Sequence, residues 1–318
     1  TTFVVPWGYI GAKVEIRHSM VKIFHSDRFV PALPEGHRFP IQKYGLIREQ
    51  LLREGTVEAH QFAESDPCAE SDILLVHTTE YWKAVKSLRL TPRQMRKIGF
   101  PQSATLVDRS RRSCQGTLAA ALHALQHGIG LNIAGGTHHA FADAGEGFCL
   151  LNDLAITAGH LLKQQLASSI LILDLDVHQG NGTARIFQGK EAVFTFSMHG
   201  AKNYPLLKEH SDLDVEMPVG TEDEAYLREL AKQLDHLKAL QPDMVLYQAG
   251  IDVLATDRLG TLSLSREGAK TRDRMVLSRC QAWEVPVAVC MGGGYSRRLA
   301  DTVEGHSNTF RVAAELYD

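Results

Sequence analysis

The stretch Ser169–Gly182, SILILDLDVHQGNG, constrains the chain more than any other. Ile170, Leu171, Ile172 and Leu173 form an apolar block without a turn residue. A short run with no polar alternation suits a strand buried on both faces of a parallel sheet. Asp174, Asp176 and His178 then alternate with Leu175 and Val177. If the backbone stays extended, the three polar side chains project to one side, and a pair of carboxylates converges with an imidazole. Gly180 and Gly182, flanking Asn181, end the extended segment and let the backbone turn closely around whatever those side chains hold. An isolated DxDxH is also compatible with two helix-capping aspartates and a surface histidine. Distant segments with matching chemistry decide between the two: GGTHHAF at 135–141, AGID at 249–252 and GGGY at 292–295.

The rest of the chain supplies the layers that such a strand needs. Tyr44, Leu46, Ile47, Leu51 and Leu52 recur at helical spacing and predict a helix over 42–54, after a Pro-punctuated loop containing His37 and Arg38. Ser87–Pro101 reads as an irregular, partly helical segment near a surface. Ser113 reads as an N-cap, Leu118, Leu122 and Leu125 as one apolar face, and Gly128 as the stop. The expected order is then strand 131–134, helix 153–166, strand 170–174, strand 192–197, helix 222–240, strand 244–248, helix 266–282 and strand 286–290. This alternation predicts an α/β fold, a single domain with a central, mostly parallel sheet flanked by helices on both faces. The domain is expected over 20–318, opening at Met20, with 1–19 an N-terminal extension or an artificial leftover. In such sheets ligands sit beyond the carboxyl ends of the strands, where His138, His139, Asp176, His178, Ser197, His199, Asp252 and Tyr295 all fall.

Composition narrows the classes. A net charge of −3 gives no basic footprint for nucleic acid. Five scattered cysteines without a CxxC pair indicate neither a disulfide framework nor a cysteine metal site, which fits a reducing, cytoplasmic setting. No apolar run approaches the roughly 20 residues of a membrane span, and TTFVVPWGYIGAK does not read as a secretion signal.

Asp176, His178 and Asp252 offer two oxygen ligands and one nitrogen ligand, which leaves a tetrahedral ion such as Zn²⁺ an open position for water or substrate. Carboxylates also suit Fe²⁺. In a Gly-flanked loop, His138 and His139 can both turn toward that position and act as general acid and base. Asp174 and Asn181 are the candidates to orient them, the carboxylate raising its histidine's pKa and the amide orienting without that effect. Tyr295 follows three glycines that let the backbone approach the site, so its phenol is the candidate oxyanion donor. The glycine run lacks the following Lys and Ser/Thr of a phosphate loop.

With these pieces assembled, GGTHHAF, GFCLLND, DLDVHQGNG, AGIDVLATDRLG and GGGY resemble the histone deacetylase family in order and spacing, over 20–318. The resemblance implies Zn²⁺ on Asp176, His178 and Asp252, a catalytic pair His138 and His139, and Tyr295 polarising the acyl carbonyl. It implies that Gly147, Phe148 and Cys149 line an acyl-lysine channel, with Tyr204 as the opposite aromatic wall. It also implies a structural K⁺ on Asp174, Ser197 and the main-chain carbonyls around Asp176 and His178. Many members read DxDxHHGDG, whereas this chain has Gln179 and Asn181. With HRFP and KYxxL near 37–46, the HQGNG form looks most like the class IV branch and its bacterial relatives, a branch associated with removal of long fatty-acyl groups as well as acetyl. IGFPQS stands near the place of the rim aspartate that holds the substrate backbone in other branches.

The leading expectation is therefore a zinc-dependent amidohydrolase acting on acylated lysine of a protein or peptide. Its rivals are a deacylase of a small acylated amine such as an acetylpolyamine, and a non-catalytic acyl-lysine binder. A binuclear arginase-like hydrolase is disfavoured, because Gly180 stands where a second metal would want a carboxylate.

Overall fold

The computed structural model describes residues 20–318, so the expectation for 1–19 lies outside the described residues. Eight strands form one sheet: β1 Ile23–His25, β2 Phe62–Glu64, β3 Ile129–Ile133, β4 Ile170–Asp174, β5 Val193–Gly200, β6 Leu213–Met217, β7 Met244–Gln248 and β8 Val287–Cys290. Their order is β2-β1-β3-β8-β7-β4-β5-β6, and every pairing between them is parallel. The sheet expected to be mostly parallel is thus wholly so. The chain builds the two flanks first, then threads β7 and β8 through the middle.

Both faces of the central strands are covered. Ile170, Ile172, Met244, Leu246, Ala288 and Cys290 enter one apolar core with Ala120, Ala121 and Leu154 from helices. Leu171, Leu173, Val245, Tyr247, Val287 and Val289 enter the other with Leu230, Val276 and Phe310. Successive residues therefore feed opposite cores, as the two-residue period of a strand demands, and this is why these strands read as unbroken apolar runs.

Two expectations need correction. The helix expected from Ser113 spans Ala104–His127, with the Ser103 hydroxyl accepting from the Leu106 N–H as its cap. Ser113 lies inside it, buried, and accepts from the Gly135 N–H; a serine before an apolar face resembles a start, but here it braces the loop after β3. The segment 87–101 is partly helical and largely exposed, as expected, with the helix Pro92–Ile98 and with Leu90, Ile98 and Phe100 turned inward. The extended run after β4 stops at Asp174, and residues 176–178 bend. Asp174 stays outside the group that Asp176 and His178 form with Asp252: its Oδ2 faces His138, while its Oδ1 accepts from the Asp176 N–H.

Candidate active site

The neighbours β3, β8, β7 and β4 deliver the site from their carboxyl ends. The loop after β3 carries His138 and His139, that after β8 carries Gly292–Tyr295, that after β7 carries Asp252, and that after β4 carries Asp176 and His178. Their ligand atoms meet: Nδ1 of His178 lies 3.0 Å from Oδ1 of Asp176 and 3.1 Å from Oδ2 of Asp252. One ligand atom from each of the three residues falls within 4.8 Å of the others, and all three residues are buried. Asp252 is pushed up to about 7 by burial and by the facing Asp176 carboxylate, while His178, despite burial, is held up to about 10 by hydrogen bonds to both carboxylates. Two buried like charges at such range call for a cation, so the donor set fits a divalent metal.

The backbone closes on this group from two sides. The Gly293 N–H donates to Oδ2 of Asp176 at 2.7 Å, and a Cβ on Gly293 would lie 1.9 Å from Oδ2 of Asp252, so only glycine fits there. Beneath, the buried guanidinium of Arg272 donates to the carbonyls of Leu175 and Gly250, fixing the loops that present Asp176 and Asp252.

The two histidines have different partners. Nδ1 of His138 lies 2.6 Å from Oδ2 of Asp174, and Nδ1 of His139 lies 2.7 Å from Oδ1 of Asn181. Burial works against charge on His138, but the Asp174 and Asp176 carboxylates more than compensate and raise its pKa. His139 is lowered well below the usual value by burial and by the neighbouring imidazoles, so it stays neutral. The rings stand 4.1 Å apart between centroids.

Tyr295 is buried and lines the same cavity as these groups. Its N–H donates to Oδ2 of Asp257 at 2.6 Å and its carbonyl accepts from the Arg258 guanidinium, so consecutive residues clamp its peptide. Gly147 and Phe148 both adopt left-handed backbone, with φ of +56° and +67°. A Cβ on Gly147 would lie 2.5 Å from the His139 ring. Phe148 packs against Phe39, Phe100 and Tyr295, and Tyr204, 39% exposed, meets His139 edge-on across 5.0 Å. Cys149 is buried beside this wall. The β4–β5 register sets Asp174 opposite Ser197, whose hydroxyl lies 2.9 Å from Nδ1 of His199.

Several neighbours were not anticipated. Gln248, the last residue of β7, donates to Oδ2 of Asp176 at 3.3 Å and lies 3.0 Å from Nδ1 of His138; its place at a strand's carboxyl end was the available signal. Phe39 and Phe100 back Phe148 from segments read as loop and surface. Lys43 is fully buried among the rings of Phe39, Tyr44 and Tyr295, a cation–π arrangement without a local motif. Glu146 underlies Asn181 and Tyr204.

Comparison with known proteins points to one family. A family model described as Histone deacetylase domain matches residues 37–310. An uncharacterized protein of Picosynechococcus sp. is 45% identical over 296 residues, covering 93% of this chain and 98% of that one. Histone deacetylase 2 of Arabidopsis thaliana is 30% identical over 306 residues, covering 91% of this chain and 79% of that one. Among solved structures, an HDAC homolog from Aquifex aeolicus has a TM-score of 0.78 at 22% identity, over 91% of this chain and 82% of that one. An HDAC homolog complexed with SAHA gives 0.78 at 22% identity, over 92% and 82%. With a family match that covers seven of the eight strands and every strand end feeding the buried Asp-His-Asp group, the chain belongs to the histone deacetylase family.

Proposed function

We propose that the protein is a metal-dependent amidohydrolase that removes an acyl group from an acylated lysine side chain, with Asp176, His178 and Asp252 holding one divalent ion. The observation that carries this reading is the convergence of that buried triad with two histidines of opposite electrostatic character around one cavity. Zn²⁺ is the ion the donor set suits best, with Fe²⁺ the alternative; when bound, it supplies Lewis-acid polarisation of the acyl carbonyl and acidifies a water.

The chain's own groups divide the remaining work. His139, neutral and with Nδ1 engaged by Asn181, offers Nε2 as the base that takes a proton from the attacking water. His138, whose pKa the Asp174 and Asp176 carboxylates raise, favours the charged form and stabilises the negative charge that builds on the substrate. Tyr295 donates its phenolic hydrogen to the tetrahedral oxyanion. The carbon–nitrogen bond then breaks as the departing amine receives the proton from His139. Phe148 and Tyr204 flank the acyl-lysine stem, with Gly147 and Cys149 beside them. Asp174 and Ser197, with nearby carbonyls, are the proposed K⁺ ligands.

The cavity that the triad lines has a volume of about 40 Å³ and reaches Tyr44, Arg109 and Ser113. A larger space lined by His139, Gly147, Phe148, His178, Tyr204 and Tyr295 adjoins it, and acetyl and longer fatty-acyl groups are both proposed as the acyl group removed. A panel of acetyl-lysine peptides, long-acyl-lysine peptides and acetylated small amines, assayed with zinc-loaded protein, tests the reading. Hydrolysis of acyl-lysine peptides, acetyl or long-chain, above the small amines is expected. Preference for the small amines would move the substrate class, and zinc-loaded protein inert toward all three would overturn the enzyme.

A further inference from the structure

We propose that Glu146 is a positioning residue for His139, acting through Asn181; this rests on the reading of His139 as the base. Glu146 is 3% exposed, and its Oε1 accepts from the Asn181 amide Nδ2 at 2.7 Å and from the Tyr204 phenol at 2.7 Å. The Lys97 ammonium pairs with its Oε2 from the solvent side. On the other face of the same amide, Asn181 Oδ1 meets His139 Nδ1 at 2.7 Å.

The chemistry of this chain of contacts is one-directional. A carboxylate only accepts, so the amide nitrogen must face Glu146 and the amide oxygen must face His139. An oxygen acceptor at Nδ1 places the imidazole hydrogen there and leaves Nε2 with its lone pair. Asparagine alone does not enforce this, because a flipped amide would present NH₂ to Nδ1 and select the opposite tautomer. An aspartate at 181 has no such ambiguity. Glu146 removes it by making the flipped amide set oxygen against oxygen in a buried place, which costs a full unsatisfied acceptor. The negative charge is thereby held one side chain further from the imidazole, under Lys97, and the same carboxylate anchors Tyr204 at the channel wall.

The experiment compares the full-length, zinc-loaded chain with Glu146→Ala, Glu146→Gln, Asn181→Asp and the Asn181→Asp/Glu146→Gln double variant. The readouts are kcat and KM on an acetyl-lysine peptide and the ¹⁵N chemical shifts of His139. Glu146→Ala is expected to lower kcat about 10- to 100-fold, with KM changed far less, and to populate the Nε2–H tautomer. Asn181→Asp sets two carboxylates together and is expected to lose a similar factor. Adding Glu146→Gln returns a donor to that contact and should restore kcat to within about threefold of the parent. Additive losses in the double variant, or a His139 tautomer unchanged in Glu146→Ala, overturn the proposal. If the parent chain hydrolyses no acyl-lysine, the proposed function falls, while the tautomer measurement still decides the role of Glu146.

Discussion

The backbone N–H of Tyr295 donates to the carboxylate of Asp257 across 2.6 Å. Asp257 also accepts from the Leu259 and Gly260 N–H groups, so a single carboxylate ties the loop after β8 to the loop after β7. The phenol is thus aimed by its own peptide. Tyr295→Phe should leave fold and metal binding intact while lowering kcat about 10²- to 10³-fold, the loss seen on deleting one oxyanion donor. Steady-state hydrolysis beside zinc titration checks it, and unchanged turnover would remove Tyr295 from the mechanism.

Asp257→Ala should behave differently. It frees three partly buried N–H groups together, so a fall in thermal stability should accompany the fall in turnover. Melting curves for the two variants separate the positioning carboxylate from the reacting phenol.

Gly147 faces two constraints, a positive φ and a Cβ position 2.5 Å from the His139 ring. Gly147→Ala should cost at least about 1 kcal/mol from backbone handedness alone, and it should displace His139. Urea unfolding together with kcat measures both; a variant with parental kcat would show that the ring tolerates movement.

The fold was legible where burial leaves a sequence imprint. β4 and β7 match the expected 170–174 and 244–248, because strands buried on both faces read as apolar runs that stop where the polar site begins, at Asp174 and Gln248. β2 and β6 were missed, being the edge strands and only partly buried, so their residues carry no apolar run. The helix Leu299–Tyr317 was missed as well, since it buries polar Thr302, His306, Ser307 and Thr309 along with its apolar face. At the site, residues delivered by strand ends were readable from position and type. Glu146 was not, because its contacts arise only when left-handed Gly147 and Phe148 fold the chain back on itself. Asp174 reads as the partner of a histidine, but an extended DLDVH gives no reason for its carboxylate to stay outside the group that Asp176 and His178 form with Asp252.

His77 links the fold to pH. Burial lowers its pKa from 6.5 to about 4, and its Nε2 accepts from the Asn152 N–H. The unfolded chain takes up a proton below about pH 6.5 that the folded chain refuses until about pH 4, so this contribution is complete above the first value and is lost as pH falls through the second. Between pH 7 and pH 5 it amounts to about 2 kcal/mol. Urea unfolding at both pH values should show the acid-side loss shrink by that amount in His77→Gln; an unaltered loss would place the titration elsewhere.

The central claim is that residues as far apart as His178 and Asp252, 74 positions along the chain, hold one catalytic ion. Zinc-dependent hydrolysis of an acetyl-lysine peptide, measured with bound zinc on the same samples of parent and Asp252→Ala protein, tests it most directly. The parent should bind one zinc per chain and hydrolyse the peptide, and Asp252→Ala should lose both. Full zinc occupancy and parental hydrolysis in Asp252→Ala would contradict it.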